Sequence, residues 1–199
     1  AKTATEGSPL RGVYFDELRR MEFGDIERGQ ERYSAQREPI DVKASTASMV
    51  GSTIDIYFRR SNQNYFHTAT DHPDGLVLSL EFPNCIMDLR NATPAMLRKV
   101  ENAFARAGKP MCGMTDAERE RYPLACYYDP RTGYIITDPR DGHWEPHNPK
   151  AYVHGYQVPQ MLSPMWSAGR FLQKYEDAHD KSEFRNSGLG LSDNDESQR

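Results

Sequence analysis

Two adjacent carboxylates, Asp16-Glu17, close the apolar run Val13-Tyr14-Phe15. A buried strand ending in such a pair sets both acids at the C-terminal edge of its sheet, where ligands of α/β proteins sit. This is the Walker B arrangement, and its chemistry divides the labour. Asp16 can hold the Mg²⁺ that bridges the β- and γ-phosphates of ATP. Glu17 can orient and polarise an attacking water. Taken alone, a strand that ends in Asp-Glu is more often simply solvated, because short motifs recur by chance. A second stretch, Lys43-Ala44-Ser45-Thr46-Ala47-Ser48, ends the next apolar segment. The hydroxyls of Ser45 and Thr46 suit sensing of a γ-phosphate, or a plain hand-over to a helix cap. No Gly-x-x-x-x-Gly-Lys-[Ser/Thr] is present. Gly108-Lys109 is followed by Pro110 and sits at a helix end rather than a helix start. By its own residues the chain has half of a nucleotide site, with no loop to cradle phosphates.

Other groups could hold metal or DNA. Cys126-Tyr127-Tyr128-Asp129 has zinc-knuckle spacing with Asp in the second place, and Ala69-Thr70-Asp71-His72 has that spacing with Ala in the first. His72, Cys126 and Asp129 fall short of the four ligands of a closed zinc site. The pattern therefore predicts a knuckle-shaped turn without metal. His143, His147 and His154, close to Asp141 and Asn148, are a possible His-Asn-His nuclease group. Their spacing matches no ligand pattern, and Pro146 and Pro149 predict a rigid loop. The paired arginines Arg19-Arg20 and Arg59-Arg60 are candidates for DNA phosphates. The plainer alternative is that they balance Glu17, Glu22 and Asp55 at the surface.

The elements that must position these groups follow from periodicity. Residues 10–18 read as a strand, 25–36 as an exposed helix and 40–46 as an alternating strand. Strand, helix, strand predicts a βαβ unit with parallel pairing. Ser52-Thr53 caps a helix over 54–62. Strands are expected over 65–70 and 76–82, around the turn Asp71-His72-Pro73-Asp74-Gly75. Thr93-Pro94 starts a helix that Gly108 ends. Thr115-Asp116-Ala117-Glu118 is a capping box. A hairpin joins 125–128 to 134–137, a loop covers 138–149, and a last strand covers 151–158. Residues 167–178 form an amphipathic helix, and order fades from Asn186.

Composition bounds the class. With 199 residues and 11% aromatics, a core is within reach and wholesale disorder is not expected. A net charge of −4 excludes a basic coat for nucleic acid, though not a local patch. Cys85, Cys112 and Cys126 are odd in number and far apart, which fits a reducing compartment. No apolar run approaches a membrane span, and no leader is evident at the N-terminus. The chain opens on Ala1 rather than Met, which suggests a fragment or a trimmed chain.

Read in order, several stretches resemble the middle of the large terminase subunit of tailed bacteriophages. They are 10–17, Asp25-Ile26-Glu27, Glu31-Arg32-Tyr33-Ser34-Ala35, Ala44-Ser45-Thr46-Ala47, Gly51-Ser52-Thr53-Ile54-Asp55 and Ser61-Asn62-Gln63. Gly142-His143-Trp144-Glu145-Pro146, Gly155-Tyr156-Gln157-Val158-Pro159-Gln160 and Phe184-Arg185-Asn186-Ser187-Gly188-Leu189-Gly190 continue the likeness. The resemblance implies an α/β chain. Residues 1–64 would be the second half of a P-loop-type parallel-sheet ATPase core. Residues 65–185 would be an α+β extension with hairpins and a degenerate knuckle, and 186–199 a flexible tail. It implies part of an ATP-driven motor that packages DNA into a preformed capsid. Asp16 would then be the Mg²⁺–ATP residue, Glu17 the catalytic carboxylate, Ser45 and Thr46 the coupling segment, and Arg59 and Arg60 the DNA contact. The chain would begin after the Walker A loop, stop before the nuclease, and be inactive as an ATPase by itself. Implied partners are double-stranded viral DNA, the terminase small subunit and the capsid portal, with further copies of the chain a candidate and no membrane. The location would be the host-cell cytoplasm. Family members often carry paired cysteines where this chain has Ala69, His72, Cys126 and Asp129, so zinc is not expected. The competing expectation is a non-enzymatic DNA- or protein-interaction module built on the knuckle-like hairpin.

Overall fold

The computed structural model describes residues 11–34, 36–37 and 39–193. Leu10 of the first apolar run, Ala35 of the terminase-like stretches, and 194–199 of the expected tail lie outside the described residues. The chain is mixed α/β with small sheets. In order it forms β1 (Gly12–Phe15), α1 (Phe23–Glu31), β2 (Ile40–Lys43), α2 (Thr53–Arg60), β3 (Asn64–Thr68) and a single turn α3 (Leu78–Glu81). There follow β4 (Ile86–Asp88), α4 (Pro94–Arg106), α5 (Asp116–Arg121), β5 (Ala125–Tyr128), β6 (Ile135–Ile136), β7 (Gly142–Pro146), α6 (Ala168–Asp177) and α7 (Lys181–Phe184).

β1 and β2 pair in parallel across α1, in register from Gly12 with Ile40 to Phe15 with Lys43. Alternation decides which side is covered. Phe15, Leu18 and Ile26 form a small core, against which Ile54 and Tyr57 of α2 pack. Tyr14, Ile40 and Val42 face outward. β3 pairs antiparallel with β7, and β4–β5–β6 form an antiparallel sheet. Consecutive residues of β5 point to opposite faces, as the pleat requires. Ala125 and Tyr127 enter a core with Phe171 of α6 and Leu189, while Cys126 enters a second core with Val100 and Phe104 of α4. Two helix starts follow their signals: Thr93 accepts from Met96 N with Pro94 next in line, and Thr115 with Glu118 closes a full capping box, whereas Ser52 precedes α2 without a side-chain cap bond.

Several expected elements differ. Residues 76–82 make one bridge, Leu76 with Thr68, and then the turn α3. Leu76, Leu78 and Ser79 are all buried. Leu80 is exposed, and a short apolar run carries no period that separates strand from helix. The expected loop over 138–149 contains β7, whose Pro146 falls on the last position of the strand, where the missing N–H is tolerated. The expected strand over 151–158 is irregular chain, bent at Tyr152 and Val153, with one parallel bridge, Tyr156 with Asn64. From Asn186 the chain stays packed through Asp193: Gly188 and Leu189 are buried in a π-turn over Arg185–Leu189, and Asp193 bridges to Met49. Among the described residues, no helix is long and apolar enough to cross a membrane.

Candidate functional site

The C-terminal ends of β1 and β2 open onto one cleft of about 1020 Å³. Its walls include Asp16 and Glu17 from the end of β1, Ser45 and Thr46 from the end of β2, and Arg59 of α2. Five of the residues singled out from sequence thus share one cavity, and Arg60 does not line it. The volume is at the upper end of small-ligand sites.

Glu17 adopts a left-handed backbone, φ 52° and ψ 41°. A non-glycine residue pays roughly 1–3 kcal/mol for that conformation, and such positions gather at functional sites. The turn carries Glu17 N back to Asp16 Oδ1 at 2.9 Å. The Glu17 carboxylate meets Arg19 Nε at 3.4 Å and Arg20 Nε at 3.6 Å. The first arginine pair therefore balances Glu17, as the plainer alternative expects. Arg19 N donates to Ser45 Oγ at 3.1 Å and Leu18 N to Ala44 O at 3.2 Å, which fastens the end of β1 to the end of β2. Lys43 also lines the cleft but binds Asp41, with its ammonium 4.6 Å from the centre of the Tyr57 ring. Burial opposes ionisation of Asp41, yet hydrogen bonds from Lys43, Tyr33 and Gln30 outweigh it and hold the carboxyl below its usual range. Burial, and then Asp41, push the Tyr33 hydroxyl up.

On the opposite wall, Arg59 Nε pairs with the buried Asp55 at 2.8 Å, and Asp55 also accepts from Gly51 N at 2.8 Å. Gln63, at φ 53°, is a second left-handed residue on the cleft, and its Nε2 donates to Arg59 O at 2.9 Å. The chain after α2 is clamped from outside. Asn62 N donates to Val153 O, and Asn64 N to Gly155 O, both at 2.8 Å. A Cβ on Gly155 would lie 2.1 Å from Ser61 Oγ, so this crossing needs glycine.

The knuckle-like segments do face each other, but as a hydrogen-bonded knot. Asp129 is fully buried and accepts from Arg131 Nε and N at 2.9 Å, from Arg131 Nη2 at 2.7 Å and from Thr70 Oγ1 at 3.0 Å. Those bonds, from Arg131 above all, hold its carboxyl down at about 2. Cys126 points into the second core beside Cys112, whose thiol, together with burial, pushes Cys126 up and away from the thiolate a metal needs. His72 N donates to Thr70 Oγ1 at 3.0 Å, and Asp74 N donates to His72 Nδ1 at 3.3 Å. The structure does not bring His72, Cys126 and Asp129 together as ligands. Among the described residues, no group of three or more His, Cys, Asp or Glu side chains is arranged to hold a metal. Among the described residues the other histidines form no such group either, although His143 and His147 both neighbour His67, the latter at 5.9 Å. His143 stands on β7 opposite His67, with ring centres 5.8 Å apart, and Glu145 lies 3.5 and 3.8 Å from the two rings. His147 lies on Tyr65 at 4.4 Å, and His154 meets Asn62 at 3.1 Å. Lys109, of the Gly-Lys pair, is bound to Asp138 at 2.7 Å.

Sequence reasoning assigned no role to Gln63, Tyr156, Asn186, Ser187 or Gly190, all of which line the cleft. They come from distant segments, whose spatial meeting point no local pattern could reveal. Compared with protein-family models, curated proteins and solved structures, the chain matches none of them.

Proposed function

We propose that the chain is part of a viral DNA-packaging ATPase of the terminase large-subunit kind, with the cleft at the ends of β1 and β2 as its reaction site. One observation carries this reading. Stretches far apart in sequence, at 16–17, 45–47, 63, 156–158, 186–187 and 190–192, converge on a single cavity. A parallel strand pair that ends in Asp16-Glu17 on one side and Ser45-Thr46 on the other suits metal-assisted phosphoryl transfer. Asp16 would hold Mg²⁺ against the phosphates of ATP. Glu17 would orient the water, once Arg19 and Arg20 yield or turn to the phosphate. Ser45, tied to Arg19 N, would relay the state of the site to β2 and so to α2 with Arg59 and Arg60. The phosphate cradle must come from a Gly-Lys-[Ser/Thr] loop outside these residues. The reading is tested by Mn²⁺, as a spin probe for Mg²⁺, bound with ATP to the chain joined to such a loop. Asp16→Asn should lose the nucleotide-dependent Mn²⁺ signal; an unchanged signal would remove Asp16 from the site.

A second reading is favoured by the engagement of Glu17 with two arginines and of Arg59 with Asp55. In it the chain is a non-enzymatic DNA- or protein-interaction module. A nucleotide-independent contact surface, with no response to Asp16→Asn, would support that reading.

A further inference from the structure

The cleft that holds Asp16 and Ser45 has a second set of lining residues, drawn from α2, the start of β3 and the segment after β7. Among them are Gln63 and the aromatic side chains Phe58, Tyr65 and Tyr156. The backbone places Tyr156 and Gln63 side by side. Tyr156 bridges in parallel to Asn64, the residue after Gln63, and Gln157 N donates to Asn64 O at 3.0 Å. Tyr156 is 53% exposed and meets Trp144 in a T-shaped contact, with ring centres 5.2 Å apart at 87°. That contact stiffens the tyrosine while much of its ring surface stays open. Gln63 has a φ of 53°, a strained backbone for a residue other than glycine, and such positions gather at functional sites. Gln63 N donates to Ser61 Oγ at 3.0 Å, and Gln63 O accepts from His147 N at 3.1 Å, so the turn is fixed from both sides. The side-chain amide is fixed as well, because its Nε2 donates to Arg59 O at 2.9 Å. A carbonyl accepts only from the NH₂ end, so this bond decides which way the amide faces. Oε1 and the second N–H of Nε2 have no partner among the described residues.

An open aromatic ring beside an oriented carboxamide suits a nucleobase. Stacking on the ring is indifferent to the kind of base. The amide is not indifferent: glutamine accepts from the N6 amino group of adenine while it donates to N7. Guanine presents the acceptor O6 where adenine has its amino group, and the amide cannot turn to meet it without losing its bond to Arg59 O. A base is uncharged, so Asp16 and Glu17 in the same cleft do not repel it. The cleft, at about 1020 Å³, has room for base and phosphates together. We propose that Tyr156 and Gln63 form a nucleobase subsite of this cleft, with Tyr156 as the stacking platform and Gln63 as the selector of adenine over guanine. The proposal rests on the nucleotide-site reading above and adds recognition of the base.

The test is an NMR titration of the full chain with adenosine and with guanosine, which carry no phosphate and so need no cradle. The indole signal of Trp144, in contact with Tyr156, is the reporter. Adenosine should shift that signal and bind at least about fivefold more tightly than guanosine. Tyr156→Ala should weaken adenosine binding by about fivefold or more. Tyr156→Phe should keep it, since the ring remains, and it controls for folding. Gln63→Gly, which accepts the left-handed backbone without strain, should bring the two nucleosides to equal affinity. Equal binding by the wild type, a preference that survives Gln63→Gly, or full adenosine affinity in Tyr156→Ala overturns the proposal, and so does binding of neither nucleoside. The Mn²⁺–ATP signal of the loop-joined chain separates this failure from that of the wider reading. If that signal depends on Asp16 while the nucleosides fail, the base subsite falls and the phosphoryl-transfer reading stands. If adenosine binds selectively while Asp16→Asn leaves the Mn²⁺ signal unchanged, the subsite stands and that reading falls.

Discussion

Asp129→Ala should destabilise the protein by about 3 kcal/mol. The carboxylate is fully buried and accepts four hydrogen bonds, three of them from Arg131. Removing one member of a buried pair typically costs about 3–5 kcal/mol, because the partner is left uncompensated. Arg131 is 39% exposed, so water recovers part of that, and the lower end applies. For a domain of this size, the loss lowers the melting temperature by about 6–12 °C. Thr70→Val removes a single bond to the same carboxylate and should cost about 1 kcal/mol. The pH dependence has a definite sign. The Asp129 carboxyl is held down at about 2, below the value of about 3.9 for an unfolded chain. Its contribution is therefore complete above about pH 4 and is lost as the pH falls through about 2. Asp129→Asn should flatten that part of the stability profile. The assay is thermal unfolding followed by circular dichroism, repeated with a chelator. The Asp129 carboxylate is already engaged by four hydrogen bonds, so the chelator is expected to leave the wild-type midpoint unmoved. A midpoint shift under 2 °C for Asp129→Ala, or a chelator-sensitive wild type, would refute the argument.

Glu17→Gly should raise stability by about 1 kcal/mol, read from urea midpoints, because glycine accepts the left-handed backbone that Glu17 strains to hold; lower stability would show that the arginine contacts outweigh the strain. Cys85, Cys112 and Cys126 are all buried, and burial pushes the Cys85 thiol up while its contact with Cys112 pushes Cys126 up. A thiol-reactive dye should therefore label the native chain only at the rate of unfolding, and fast native labelling would contradict the packing. Gly155→Ala should lower stability by about 2 kcal/mol, since the added methyl meets Ser61 and Phe58; an unchanged melting curve would mean that the clamp on the end of α2 yields freely.

The βαβ unit was legible because Val13, Phe15 and the Ile40-Val42 alternation are local signals, and so were the Thr93 and Thr115 caps. β7 was not. Gly-His-Trp-Glu-Pro has none of the β-branched pattern of a strand, and its pairing with β3 is a contact between residues some 80 positions apart. The end of the described chain misled for a related reason: Gly188, Ser187 and Asn186 have loop composition, yet Leu189 inserts into the core beside Phe171. At the site, Asp16, Glu17, Ser45 and Thr46 could be named from residue type. Gln63, Tyr156 and Asn186 could not, because a cleft wall assembled from distant segments has no sequence period. The arginine pairs were visible, and the pairing of Arg59 with Asp55 is the charge balance that the sequence offered as the alternative to a DNA contact.

The most direct measurement of the central claim is ATP turnover and ATP retention for Glu17→Gln in the chain joined to a phosphate-binding loop. If Glu17 orients the water while Asp16 holds the metal, the variant retains bound Mg²⁺–ATP and hydrolyses it at least about a hundredfold more slowly than the wild type. Turnover at the wild-type rate, with bound ATP converted to ADP and phosphate, would contradict the catalytic role of Glu17 in this cleft.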